Sequence, residues 1–227
     1  MGLRQVIRTL PLVGPLSRKI WPGRQPKPFA GSSTYWEDRY AAGGNSGAGS
    51  YNRLAVFKAE FLNAFVEQHA ITSVIEFGSG DGAQLEMAEY PDYTGVDVSA
   101  TAIANTRRRF ADRANYRFHQ SSELPADTQA DLALSLDVIY HLVEDDVFQP
   151  YMRQLFAAAR RFVVVYSSNE DKSWSSPHVR HRRFQTWIEQ NQPGFTFVEH
   201  VPNRYPFDAG DQDNTSFADF WVFKRTA

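Results

Sequence analysis

Apolar positions recur along this chain in two rhythms that alternate. Over residues 53–69, Leu54, Phe57, Phe61 and Phe65 are spaced by three, four and four, which places them on one face of a helix. Short β-rich apolar runs follow at residues 73–77, 93–96, 116–119, 131–136 and 162–166, and each reads as a strand. The segments between and after them predict helices at residues 83–88, from a Ser99 cap to about Phe110, at 147–160 and at 179–190. A short helix is expected at residues 35–40. Strands at 195–201 and 217–223 close the chain with no helix between them. Strands alternating with helices predict a parallel sheet covered on both faces, and the last two predict an antiparallel pair at one edge.

Composition refines the picture at the amino end. Before Glu37 the chain carries Arg4, Arg8, Arg18, Lys19, Arg24 and Lys27 and no acid; removing these six from a net charge of −2 leaves −8 for the rest. The body therefore has no bulk attraction for nucleic acid, and no nucleic-acid partner is expected. Residues 2–21 mix the first four of those cations with Leu3, Val6, Ile7, Leu10, Leu12, Val13, Leu16 and Ile20. They read either as a basic amphipathic segment resting on an anionic membrane or as a tail that packs elsewhere. A Pro/Gly linker follows, so the expected division is residues 1–33 as segment and linker and residues 34–227 as one domain. No apolar run approaches the roughly 18 residues of a transmembrane helix. The absence of cysteine excludes disulfides, thiolate zinc sites and cysteine nucleophiles, and fits a cytoplasmic protein, at the inner membrane face if the amino end binds lipid.

The first strand runs into Glu76-Phe77-Gly78-Ser79-Gly80-Asp81-Gly82, and Asp97 ends the second strand 17 residues after Gly80. Glycines let a backbone turn sharply and approach a ligand at the carboxyl edge of a sheet, and an acid there can accept ribose hydroxyls. The dinucleotide pattern G-x-G-x-x-G is not what stands here. E-x-G-x-G-x-G with a following acid resembles the class I S-adenosylmethionine (SAM)-dependent methyltransferases, over residues 73–223. The resemblance implies an α/β, Rossmann-like seven-stranded, mostly parallel sheet with helices on both faces and a C-terminal antiparallel strand pair. It implies SAM as cofactor: Gly78, Ser79 and Gly80 against the methionine and ribose, Asp97 on the ribose hydroxyls, Val98 beside the adenine, and Ser121 or Ser122 at its amino group. Glu76 would act through the loop, and Leu136 and Asp137 would face the transferable methyl.

No [D/N]-P-P-[Y/F/W] follows the fourth strand, which argues against exocyclic amines as acceptors. His141 instead resembles the histidine seen there in many small-molecule methyltransferases, where an imidazole is suited to take a hydroxyl proton; its other reading is to bond backbone and shape the pocket beside Tyr140. The Gly-rich loop of residues 45–51 reads as a lid, with Asn45, Ser46, Tyr51 and Arg53 as contacts to the cofactor, or as a plain linker. His178, Arg180, His181, Arg182 and Arg183 crowd an expected helix start, where cations are unfavourable unless an anion lies close. They read as an anion grip with His178 or His181 as alternative base, or as a solvated cluster paired with the body's acids. No carboxylate spacing completes a metal site with the two histidines, so none is expected. More weakly, the flanking motifs resemble a bacterial group associated with glycan assembly, which implies O-methylation of a saccharide or lipid-linked glycan hydroxyl. The alternatives are a small-molecule hydroxyl acceptor and a non-catalytic SAM-binding partner subunit.

Overall fold

The computed structural model describes residues 29–226. The expected amphipathic segment at residues 2–21 lies outside them. Helices α1 (Ser32–Ala41) and α2 (Asn52–Gln68) precede β1 (Val74–Phe77), β2 (Tyr93–Asp97), α3 (Ala100–Arg109), β3 (Tyr116–Gln120) and β4 (Ala130–Leu136). Then come α4 (Asp145–Ala157), β5 (Ala159–Ser167), α5 (Phe184–Asn191), β6 (Phe195–Val201) and β7 (Asp219–Arg225). The seven strands form one sheet in the order β3-β2-β1-β4-β5-β7-β6. Strands β1 to β5 pair in parallel, and β7 runs antiparallel to both β5 and β6. This is the Rossmann-like sheet with a terminal antiparallel pair that the sequence predicts.

Strand residues alternate between faces, and β1 shows why the sheet is covered on both. Val74 enters one core with Phe57, Leu62 and Phe65 of α2 and Ile103 of α3. Ile75 and Phe77 enter the other with Phe148, Met152 and Leu155 of α4 and Ile188 of α5. All four β1 residues are buried, as befits a central parallel strand. The carboxyl ends of β1, β2 and β4 therefore sit side by side, and their loops open on one edge.

Three expected elements differ. Residues 83–88 form only a short 3₁₀ turn, Gln84–Met87, because Gly82 precedes it in a left-handed turn and Pro91 follows closely, leaving no room for two helical turns. The helix expected at 147–160 ends at Ala157, and Arg160 belongs to β5, where its guanidinium pairs with Asp131 at 3.2 Å. The helix expected at 179–190 starts only at Phe184, because the preceding residues strap onto the chain after β4: the Arg180 amide donates to the Tyr140 carbonyl at 2.7 Å.

The Ser99 cap is formed: its hydroxyl accepts from the Ala102 amide at 3.0 Å and donates to Glu37 of α1 at 2.6 Å. One hydroxyl thus starts α3 and ties down α1. Ser99→Ala should lower unfolding free energy by about 1 kcal/mol, measured by urea denaturation; an unchanged midpoint would show the cap to be idle.

Candidate active site

The loop after β1 is drawn against the end of β2 by backbone hydrogen bonds. The Gly78 and Ser79 amides both donate to the Val96 carbonyl, at 2.7 and 3.0 Å. Gly78 sits at φ 86°, and a Cβ there would lie 2.3 Å from a Val138 methyl, so only glycine fits. Asp97 closes the arrangement, with Oδ2 accepting the Gly80 amide and Oδ1 the Ser99 amide, each at 2.9 Å. Burial pushes the Asp97 carboxyl up to about 6, against those two amides.

Below the loop, Glu76 is buried and accepts the Tyr93 hydroxyl at 2.6 Å. Burial pushes it up to about 7, opposed by that hydrogen bond and by Lys58. Beside it, Asp137 stands at φ 59°, a conformation unusual for a residue with a side chain. Its Oδ2 accepts Lys58 Nζ at 2.7 Å and its Oδ1 the Tyr140 hydroxyl at 2.8 Å.

Two elements roof this edge. Helix α1 is held at its start, where Ser32 donates through both amide and hydroxyl to Glu144. It is held again at Glu37, whose carboxylate accepts the Ser99 hydroxyl and, at 2.5 Å, the Thr101 hydroxyl. The Gly-rich loop docks on Asp81, whose Oδ2 accepts the Ser46 amide at 2.9 Å and the Tyr51 hydroxyl at 2.8 Å. Burial raises the Asp81 carboxyl, but its hydrogen bonds from Ala83, Ser46 and Tyr51 prevail and hold it below the ordinary value.

Between roof and sheet edge lies a cavity of about 250 Å³. Its wall includes Glu76, Gly78, Ser79, Asp97 and Val98 from β1, β2 and their loops, and Leu136, Asp137 and His141 from the β4 side. Ser121 and Ser46 join from the loops, and Trp36 and Tyr40 from α1. Ser79 Oγ and Gln84 Oε1, on residues of that wall, are buried without a hydrogen-bond partner among the described residues. The Asp97 carboxylate on that wall can accept hydroxyls, and Asp137 with Lys58 offers one charge of each sign, which fits a ligand that carries hydroxyls and an amino-acid end. His141 is oriented from behind. Its Nδ1 lies 2.9 Å from the His178 carbonyl, which can only accept, so Nδ1 carries the proton and Nε2 is the free base. Burial lowers His141 to about 4, with the His178 carbonyl opposing, so the ring is neutral near pH 7.

Residues 75–163 match the family model described as a methyltransferase domain. This part of the chain is similar to a methyltransferase domain. SAM is the methyl donor that goes with such a domain and with the carboxylate and ion pair in the cavity wall. Solved structures share the fold. The N-methyltransferase NodS from Bradyrhizobium japonicum WM9, in complex with S-adenosyl-L-homocysteine (SAH), is 17% identical with a TM-score of 0.67, over 87% of this chain and 100% of that one. Magnesium protoporphyrin IX methyltransferase (ChlM) from Synechocystis PCC 6803, with bound SAH, is 12% identical with a TM-score of 0.61, over 87% and 97%. The methyltransferase domain of bacterial CtHen1 is 22% identical with a TM-score of 0.57, over 75% and 98%. No curated protein matches the sequence.

Several residues expected in the methyltransferase site lie elsewhere. Gly80 and Tyr51 stand behind the wall, holding Asp97 and Asp81. Asn45 faces outward and caps its own loop by accepting the Gly47 amide. Arg53 points away, to the Asn214 carbonyl at 2.6 Å and Asp211 at 3.4 Å. Ser122 is exposed on the turn that gives Ser121 to the cavity. Tyr140 is buried and reaches the site only through Asp137. Arg180 and Arg182 do not line the cavity: both pair with Asp145, at 3.3 and 2.6 Å, and donate to the Val143 carbonyl. His181 is also apart from it, buried against Phe217 and Trp174 with Nδ1 2.7 Å from the Ser168 hydroxyl. His178 stacks between Tyr35 and His141 and contributes its carbonyl.

Lys58, Trp36, Tyr40 and Gln84 are additions that sequence reasoning missed. Only Lys58 left a trace in the sequence, a charge one turn from both Leu54 and Leu62 on an otherwise apolar helix face.

A carboxyl raised by folding binds its proton more tightly in the native state. The stability from Glu76 is therefore complete below its ordinary 4.5 and lost as pH rises through about 7. Ligand-free protein should melt at progressively lower temperature as pH rises across that window, and Glu76→Gln should flatten this dependence. An equal slope in the variant, read by differential scanning fluorimetry, would rule out Glu76 as its source.

Proposed function

We propose that this methyltransferase moves a methyl group from SAM to a hydroxyl, with His141 as general base. The observation that carries the reading is the Nδ1 contact of His141 to the His178 carbonyl, which leaves Nε2 unprotonated on a residue of the cavity wall. When bound, SAM supplies a methyl group activated by a positive sulfur. Asp97 would hold the ribose hydroxyls, Val98 would border the adenine and Ser121 would meet its amino group. Trp36 packs edge-on to the His141 ring at 4.9 Å and fixes its plane. An imidazole lowered to about 4 is a weak base, but a hydroxyl becomes strongly acidic as its oxygen gains a methyl group, and Nε2 takes the proton late.

The acceptor we favour is a hydroxyl of a saccharide or lipid-linked glycan, at the cytoplasmic face of the membrane. Support comes from the six cations and interleaved apolar residues before Glu37 and from the place where that segment joins the body. Ser32 and Ser33, at the start of α1, are part of the cavity wall. No helix among the described residues is long and apolar enough to cross a membrane. A nucleic-acid acceptor is disfavoured by the charge of −8 outside the amino end and by the missing amine motif. The small RNA methyltransferase HEN1, 15% identical, shares only the fold. A small-molecule hydroxyl is the second reading, favoured by the Trp36, Leu142 and Val147 walls around His141.

His141→Gln should bind SAH as the parent does and transfer methyl about 10²- to 10⁴-fold more slowly. Label transfer from methyl-tritiated SAM to free and lipid-extractable saccharides measures this, and undiminished transfer would remove His141 from the chemistry. The parent rate should be flat from mildly acidic to neutral pH and fall only as pH approaches about 4. Deleting residues 2–21 should abolish flotation with anionic liposomes; flotation equal to full length would remove the membrane part of the reading.

A further inference from the structure

Lys58 is a lysine in the interior, 1% exposed, on the face of α2 that packs against the sheet. A buried ammonium is costly unless its charge and its three N–H groups are met. Its Nζ donates to Asp137 at 2.7 Å and lies 5.2 Å from the centre of the Tyr166 ring. Among the described residues Asp137 is its one hydrogen-bond partner, so two donors are unspent. Asp137 is fixed with equal firmness. The Tyr140 hydroxyl takes its other oxygen, and Gly49 of the roof loop lies so close that a Cβ there would be 2.6 Å from Oδ2. The pair is thus clamped by Tyr140, Tyr166 and Gly49. Both members belong to the cavity wall, beside Gly78 and Ser79.

A fixed ion pair in a shielded cavity suits a ligand with its own adjacent pair of opposite charges. Set antiparallel, the four charges alternate around a square, each beside two of opposite sign. A lone lysine or lone carboxylate would attract one end of such a ligand and repel the other. The interaction is stronger where water is excluded.

We propose that Lys58 reads the α-carboxylate of the cofactor's amino-acid end while its partner Asp137 takes the α-ammonium. Lys58 is then a specificity residue that separates the complete cofactor and its product from adenosine thioethers lacking the amino acid. This rests on the SAM reading above.

The test compares SAH with 5′-methylthioadenosine, which keeps the adenosine and thioether but has no amino acid, by calorimetric titration. Lys58→Met should weaken SAH by about 10- to 100-fold, the range of a charged hydrogen bond, and leave methylthioadenosine within about threefold. Lys58→Arg should recover part of the loss. Should Lys58→Met alone fail to fold, Lys58→Met/Asp137→Asn removes both charges and is judged on the same ratio, with methylthioadenosine binding as the control for an intact site. An unchanged ratio of the two affinities would overturn the proposal and leave Lys58 as the counter-ion of Asp137. Failure of the parent protein to bind either compound would instead overturn the SAM reading itself, and this proposal with it.

Discussion

The buried carboxylate of Asp97 is the joint on which the site depends. It receives one amide from the glycine loop and one from the start of α3, so the end of β2 fixes the distance between two loops of different strands. The same turn carries Ser99, whose hydroxyl passes the constraint upward to Glu37 and hence to the roof helix. Sheet edge, glycine loop and roof are therefore one hydrogen-bonded unit. Its cost is a desolvated carboxylate, which the two amides offset only in part, and a ribose supplies hydroxyl donors of the kind such a group still accepts.

What the sequence made legible follows from how locally each feature is determined. The glycines after β1 and the acid after β2 are backbone requirements of a sheet edge, and the alternation of strands and helices announces the sheet on which that edge lies. Ser99 was legible for the same reason, since a cap is settled within four residues. The short turn after Gly82 was misread as a helix because helical composition says nothing about the space a sheet leaves for it.

Long-range partners were not legible. Arg180 and Arg182 look like an anion grip in isolation, but Asp145, 35 and 37 residues earlier, meets both. His181 looks catalytic until Phe217 and Trp174 are seen around it. Trp36 and Tyr40 sit on a helix whose sequence carries no sign of the cavity it covers, because only the tethers at Ser32 and Glu37 bring it there. Lys58 was missed although a charge on an apolar helix face is visible in the sequence, because its meaning needed Asp137.

In the role proposed for His141, its tautomer would constrain the end of each turnover as well as the chemistry. With Nδ1 committed to a backbone carbonyl, the imidazole has a single nitrogen for arriving and departing protons. A proton taken from the acceptor would stay on Nε2, because the carbonyl behind Nδ1 takes none, and it would leave from the nitrogen that received it. On that proposal the cavity is a one-door chamber for the proton, and Nε2 would be free again only when the methylated product and that proton had made way for water at the same atom.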